Sequence, residues 1–83
     1  MHKIFILPQA QKDLDNFQTE IFNKIKEKIS LLSQNARPHG CLKLIAEEGY
    51  RLRTGVYRIL YRINDKEKTV YIYRIKHRKE AYT

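Results

Sequence analysis

The stretch YRLRTGVYRILYRINDKEKTVYIYRIKHRKEAY, residues 50–82, decides the fold. Apolar and basic residues alternate along it, and because successive side chains of a strand point to opposite faces, the alternation reads as strands. Turn residues divide it into three: Tyr50–Thr54, Val56–Asn64 and Thr69–His77, with a tight turn near Thr54-Gly55 and a polar one at Asn64-Asp65-Lys66-Glu67-Lys68. An antiparallel sheet of these strands gathers Arg51, Arg53, Arg58, Arg62, Arg74, Lys76 and Arg78 on one surface, which suits a polyanion.

Working back from the sheet, Lys3-Ile4-Phe5-Ile6-Leu7 reads as a short, largely buried first strand, and Pro8 fixes the exit into a helix. A first helix over Gln9–Phe17 carries Ala10, Leu14 and Phe17 on one face. A second, over Thr19–Ser33, repeats Ile21, Phe22, Ile25, Ile29 and Leu32 along a stripe that must pack on the sheet. Residues 34–40 form a loop by composition, Cys41-Leu42-Lys43-Leu44 begins a further strand, and Glu47-Glu48-Gly49 makes a turn. The fold class is therefore α+β: two N-terminal helices on a small antiparallel sheet, in the order β-α-α-β-β-β, as one domain over residues 1–83.

Composition bounds the chemistry. A chain of 83 residues supports one modest core, so a site must lie on the surface of the sheet. The net charge is +8, and eleven of the seventeen Lys and Arg fall in residues 43–83, so the excess sits in the strand-rich half. Nucleic acid, an acidic protein and an anionic membrane surface are the partners such a charge admits. Cys41 is the single cysteine, which excludes an internal disulfide and fits a reducing compartment; it reads as a small apolar filler. A basic start followed by a long apolar run is absent, so neither a signal peptide nor a membrane span is expected, and the protein is expected in the cytoplasm.

Strand parity sharpens the picture. Tyr57, Ile59, Tyr61 and Ile63 share one side, predicted to meet the helices, with Arg58 and Arg62 facing out; Tyr50 and Leu52 are predicted buried and Arg51 and Arg53 exposed. In the last strand Val70 and Ile72 share parity with Arg74, Lys76 and Arg78, against Tyr71, Tyr73, Ile75 and His77. A bulge or bend near Arg74 decides which side His77 takes.

Two motifs in these strands, Arg53-x-Gly55-x-Tyr57-Arg58 and His77-Arg78-Lys79-Glu80-x-Tyr82, together resemble the RelE/ParE superfamily of toxins from bacterial type II toxin–antitoxin systems. The length, paired helices and strand order fit as well, so the resemblance spans nearly the whole chain. It implies one of two activities. RelE-like members are mRNA interferases that cut message in the ribosomal A site, whereas ParE-like members inhibit DNA gyrase without that chemistry. The RelE-like reading is favoured, and a non-catalytic nucleic-acid-binding module is the third alternative. The resemblance also implies an acidic or amphipathic RelB-like antitoxin as partner, and operator DNA bound only by the toxin–antitoxin complex.

Carried over by position, the RelE-like pattern places catalytic roles on Arg51, Arg53, Arg58, Arg78 and Tyr82, with arginines at 51 and 53 where that pattern has lysines. Cleavage through the 2′-hydroxyl needs a base, an acid and cations for the phosphorane. Arginine supplies only the last, which directs the proton transfer to His77, with Tyr82 stacking on a base or relaying a proton. Lys43, Arg62, Arg74 and Lys76 are expected to contact RNA phosphates or stand as a solvated face, and Arg53 and Arg58 have a structural alternative, pairing with Glu47 or Glu48. The cations can fill a divalent ion's electrostatic role, and grouped carboxylates that would hold magnesium are missing, so neither metal nor cofactor is expected.

Overall fold

The computed structural model describes residues 1–45 and 48–77; the expected roles of Glu47, Arg78 and Tyr82 lie outside the described residues. Seven elements follow in order: β1 (Lys3–Ile6), α1 (Pro8–Asp15), α2 (Thr19–Leu31), β2 (Cys41–Lys43), β3 (Tyr50–Thr54), β4 (Tyr57–Asn64) and β5 (Thr69–His77). Pro8 occupies the first turn of α1, where its fixed φ suits a helix start and its missing N–H costs nothing. The helix closes at Asn16, whose N–H bonds back to Asp13.

The strands form one sheet in the order β1-β5-β4-β3-β2. Four of them are antiparallel neighbours, but β1 lies parallel to β5, with Lys3 opposite Thr69 and Ile6 opposite Ile72. The sheet is therefore mixed rather than wholly antiparallel, because the first and last strands run the same way and meet side by side.

One face of the sheet carries the core. Leu52, Ile59, Tyr61, Val70, Ile72 and Ile75 meet Ala10 and Leu14 of α1 and Ile25, Ile29 and Leu32 at α2, all buried. The stripe of α2 and the parity of β4 thus lie where their periods predict. Among the described helices none is long and apolar enough to cross a membrane.

Two glycines shape the strand ends. Gly55 opens the two-residue turn between β3 and β4 at φ 61°, which a hairpin turn of this kind requires at its first central position. Gly49 has φ 129°, and a Cβ there would sit 2.7 Å from the Tyr61 carbonyl oxygen. Both the backbone angle and the clash oppose any side chain, so Gly49→Ala is expected to cost about 1–3 kcal/mol. The midpoint of urea unfolding should fall accordingly; a midpoint equal to wild type would refute the strain argument.

The last strand contains the irregularity that its parity required. Leu60 faces Arg74 while Tyr61 faces Ile72, so Tyr73 is the extra residue of a β-bulge. Val70 and Ile72 before it and Ile75 after it consequently all reach the core face. Asp13 of α1 sits at this bulge, its Oδ2 accepting the Ile75 N–H at 2.8 Å and the Arg74 Nε at 2.9 Å. Helix α1 thereby occupies the edge of β5 beyond the end of β1 and satisfies a strand donor there.

Candidate functional site

Cations collect on the sheet face turned away from the helices, at the hairpin end. Arg53, Arg58 and Lys76 stand directly opposite one another on β3, β4 and β5, and Arg51 faces Leu60 one row further along. Cβ atoms at such positions are about 4.5–5.5 Å apart, and like charges placed so oppose folding unless an anion joins them. The row sets three cationic side chains at matched positions, an arrangement that a phosphate can join.

Arg58 is the centre of this row and is only 2 % exposed. Parity placed it correctly away from the helices, but the expectation that it stands open to solvent is corrected: residues 58–61 are buried in succession, whereas Arg62 further along the same face is exposed. Its Nη1 donates to the Tyr57 carbonyl at 3.3 Å, which fixes the plane of the fork. A buried guanidinium in fixed orientation matches a phosphate oxyanion bidentately.

An open groove of about 740 Å³ leads to it, lined by Lys28, His39, Gly40, Leu42, Arg51, Leu52, Arg53, Gly55 and Arg58. It exists because β2 is three residues long and pairs β3 only as far as Leu52, leaving the β3 edge at Arg53 uncovered. Lys28 and His39 extend the basic lining around this edge, a contribution from α2 and its following loop that reading the strands alone did not find.

The remaining expected residues divide. Lys76 and Arg62 lie on the open face, Lys76 in the cationic row and Arg62 four residues along β4 from Arg58. His77 does not. The bulge at Tyr73 turns it to the helix side, opposite Tyr57, where the two rings meet edge-on at 5.5 Å and Tyr57 in turn packs against Phe17 at 4.8 Å. The structure thus does not bring it together with Arg51, Arg53 and Arg58. Arg74 is ion-paired to Asp13, whose side chain is 13 % exposed, and so holds the bulge rather than joining the row. Lys43 faces Tyr50, which lies on the core side, so it too is absent from the cationic face. Among the described residues no three His, Cys, Asp or Glu side chains are grouped to hold a metal ion.

The comparisons with known proteins bear on this arrangement. Residues 4–82 match the family described as ParE toxin of type II toxin-antitoxin system, parDE. The chain belongs to this toxin family. Comparison with curated proteins gives no match. Among solved structures it resembles the toxin–antitoxin complex RelBE2 from Mycobacterium tuberculosis, at 30% identity and TM-score 0.83, covering 93% of this chain and 98% of that one. The RelE–RelB complex from Pyrococcus horikoshii OT3 follows at 26% identity and TM-score 0.81, covering 93% and 94%. The isolated E. coli RelE toxin shares the fold, with TM-score 0.80 over 99% of this chain and 92% of that one at 18% identity. The expected membership of the RelE/ParE superfamily and the two-helix-on-sheet architecture are thereby established for this toxin.

Two polar devices hold the toxin's frame around the groove. Arg37, in the loop after α2, donates both Nη atoms to the Asp65 carboxylate at 3.2 and 3.0 Å and its Nε to the Tyr50 hydroxyl at 3.0 Å. It ties that loop to the β4–β5 turn across the sheet, and its hydrogen bond is the main cause holding the Asp65 carboxyl below the ordinary carboxylate value. Tyr61 is fully buried, and its hydroxyl donates to the Ala36 carbonyl at 2.9 Å. Burial first, and the Cys41 thiol next, raise the Tyr61 phenol well above its ordinary value. The folded state therefore favours the neutral phenol, so this contribution to stability is complete below the unfolded value near ~10 and declines as pH rises beyond it. Melting temperature should fall above pH ~10, and Tyr61→Phe, less stable at pH 8 by about 1 kcal/mol, should show a shallower alkaline decline. Parallel alkaline slopes would exclude Tyr61 as the group responsible.

Proposed function

We propose that this toxin is a metal-independent endoribonuclease of the RelE-like kind, cutting message on the translating ribosome. The observation that carries the reading is the in-register row Arg53–Arg58–Lys76 with its buried central arginine at the head of an open basic groove. The likeness to RelE–RelB complexes supports it, and supports a RelB-like antitoxin as partner; an acidic or amphipathic character for that antitoxin, and operator DNA bound by the complex, belong to the proposal. A toxin of this kind acts in the cytoplasm.

In the proposed reaction Arg51, Arg53 and Arg58 hold the scissile phosphate. The ribose 2′-hydroxyl gives its proton to solvent water as its oxygen attacks phosphorus, the bond to the 5′-oxygen breaks, and the products are a 2′,3′-cyclic phosphate and a 5′-hydroxyl. The guanidinium groups stabilise the additional negative charge of the phosphorane. Among the described residues of the cationic row, Lys76 is the one whose proton can be passed to the departing 5′-oxygen, since a guanidinium does not give its proton up. Arg78 and Tyr82, which follow β5 in sequence, remain proposed for further phosphate contact and for stacking or proton relay.

The test is primer extension on a translated message in a reconstituted system, with ribosome-free RNA and a supercoiling assay alongside. Ribosome-dependent cuts that fade in Lys76→Ala while His77→Ala keeps them are expected. Intact message together with blocked gyrase supercoiling would replace this reading with the ParE-like one. Binding without cutting or gyrase inhibition would leave a plain nucleic-acid-binding module.

A further inference from the structure

The open face of the sheet has a second feature at the end remote from the hairpin turn. Phe5, Tyr71 and Arg62 stand directly opposite one another on β1, β5 and β4. Phe5 is 53% exposed, and its ring lies nearly parallel to that of Tyr71, 20° apart with centroids at 5.8 Å. The Tyr71 hydroxyl donates to Glu67 Oε1 at 3.1 Å, which steers the ring. Beside it the Arg62 guanidinium lies 5.0 Å from the centroid of the Tyr73 ring.

None of this serves the core. Ile4, Ile6, Val70 and Ile72 fill the helix side of the same two strands, while Phe5 and Tyr71 point the other way. A phenylalanine half exposed on an edge strand invites association, and the outer face of a stacked ring pair with a guanidinium nearby is a surface on which a nucleobase stacks.

We propose that Phe5 and Tyr71, with Arg62, form a base-stacking platform for single-stranded RNA whose phosphates lie on the Arg53–Arg58–Lys76 row. The proposal rests on the reading of the open face as an RNA site and extends it to a base-contacting subsite. Arg58 and Arg62 are four residues apart on β4, roughly 13 Å, which a few nucleotides span. Glu48, Asp65 and Lys66 line the hollow beside Arg62 and Tyr71. The Glu48 carboxylate opposes an acidic peptide and can accept a hydrogen bond from the amino group of a stacked base, whereas the Asp65 carboxylate is already held by Arg37. That favours RNA over an acidic protein segment as the occupant.

The experiment measures affinity for a short 2′-O-methyl RNA, which cannot be cut, and for an abasic strand of the same length, over a series of salt concentrations. Wild type is compared with Phe5→Leu/Tyr71→Leu and with Arg58→Met, and thermal melting checks that each variant is folded; Phe5→Leu alone supplies a second, milder variant at the more exposed position. The double variant should lose about tenfold or more in affinity for the base-bearing strand, keep its affinity for the abasic strand, and keep the salt slope. Arg58→Met should weaken both strands and reduce the slope by about one. Unchanged RNA affinity in the leucine variants, or equal loss for both strands, overturns the platform while leaving the RNA reading in place if Arg58→Met still weakens binding. Failure of wild type to bind either strand overturns the platform, while the ribosome-dependent cutting assay decides the reading beneath it.

Discussion

Arg58→Met should reduce cleavage of translated message by about 10²–10³-fold while leaving the fold intact. The magnitude follows from removing one preorganised charged donor from a developing oxyanion. Arg58 is the fitting residue because it is buried at the centre of the row and its fork is oriented by the Tyr57 carbonyl, so neither water nor a neighbouring side chain can substitute for it cheaply. Methionine keeps much of the stem's volume in a strand with core on its other face. The melting temperature should accordingly stay within a few degrees of wild type. Arg58→Lys, retaining charge without the planar fork, should fall between the two. Cleavage within threefold of wild type in a folded Arg58→Met protein would remove Arg58 from the site.

The largest effect on stability is expected far from the groove, at Asp13. Its carboxylate accepts two hydrogen bonds at the β5 bulge, one from a strand N–H and one from a guanidinium, and is itself mostly buried. Asp13→Ala leaves both donors unsatisfied. Breaking charge-assisted bonds of this kind costs about 1.5–3 kcal/mol each in favourable cases, and Arg74 is partly solvated, so roughly 2–4 kcal/mol in total is expected. For a domain this small that is a drop of roughly 10–25 °C in melting temperature and a large part of the total stability. Asp13→Asn keeps an acceptor for the Ile75 N–H and should lose about half as much. Amide hydrogen exchange at Ile75 gives an independent readout, since its protection should fall in Asp13→Ala more than that of Ile59 on the neighbouring strand. An Asp13→Ala protein as stable as wild type would mean that the bulge is held by strand pairing alone.

Asp13 also shows where sequence reading stopped. It lies between Ala10 and Leu14 on the buried face of α1, and an acid inside an apolar stripe is a signal that it has a partner. What that partner is could not be read, because the bonded strand residue is 62 positions away. The same separation accounts for His77. Alternation along β5 left two arrangements open, and the bulge that chooses between them depends on α1 being docked there. Lys43 and Arg74 failed to join the cationic face for related reasons, one placed by its register with Tyr50 and the other drawn away by Asp13.

What the sequence alone determined was everything governed by short-range periods: both helices and their buried stripes, the strands of residues 50–77, the turn at Gly55, and the common face of Arg51, Arg53 and Arg58. Side-chain alternation and helical spacing are properties of neighbouring residues, so one chain segment suffices to read them. Only the tertiary structure decided that β1 runs parallel beside β5, that Tyr73 is the bulge, that Arg58 is buried and that Arg37 joins Asp65. Those features depend on which strands become neighbours and what covers them, and a local pattern carries no information about a partner that only folding brings alongside.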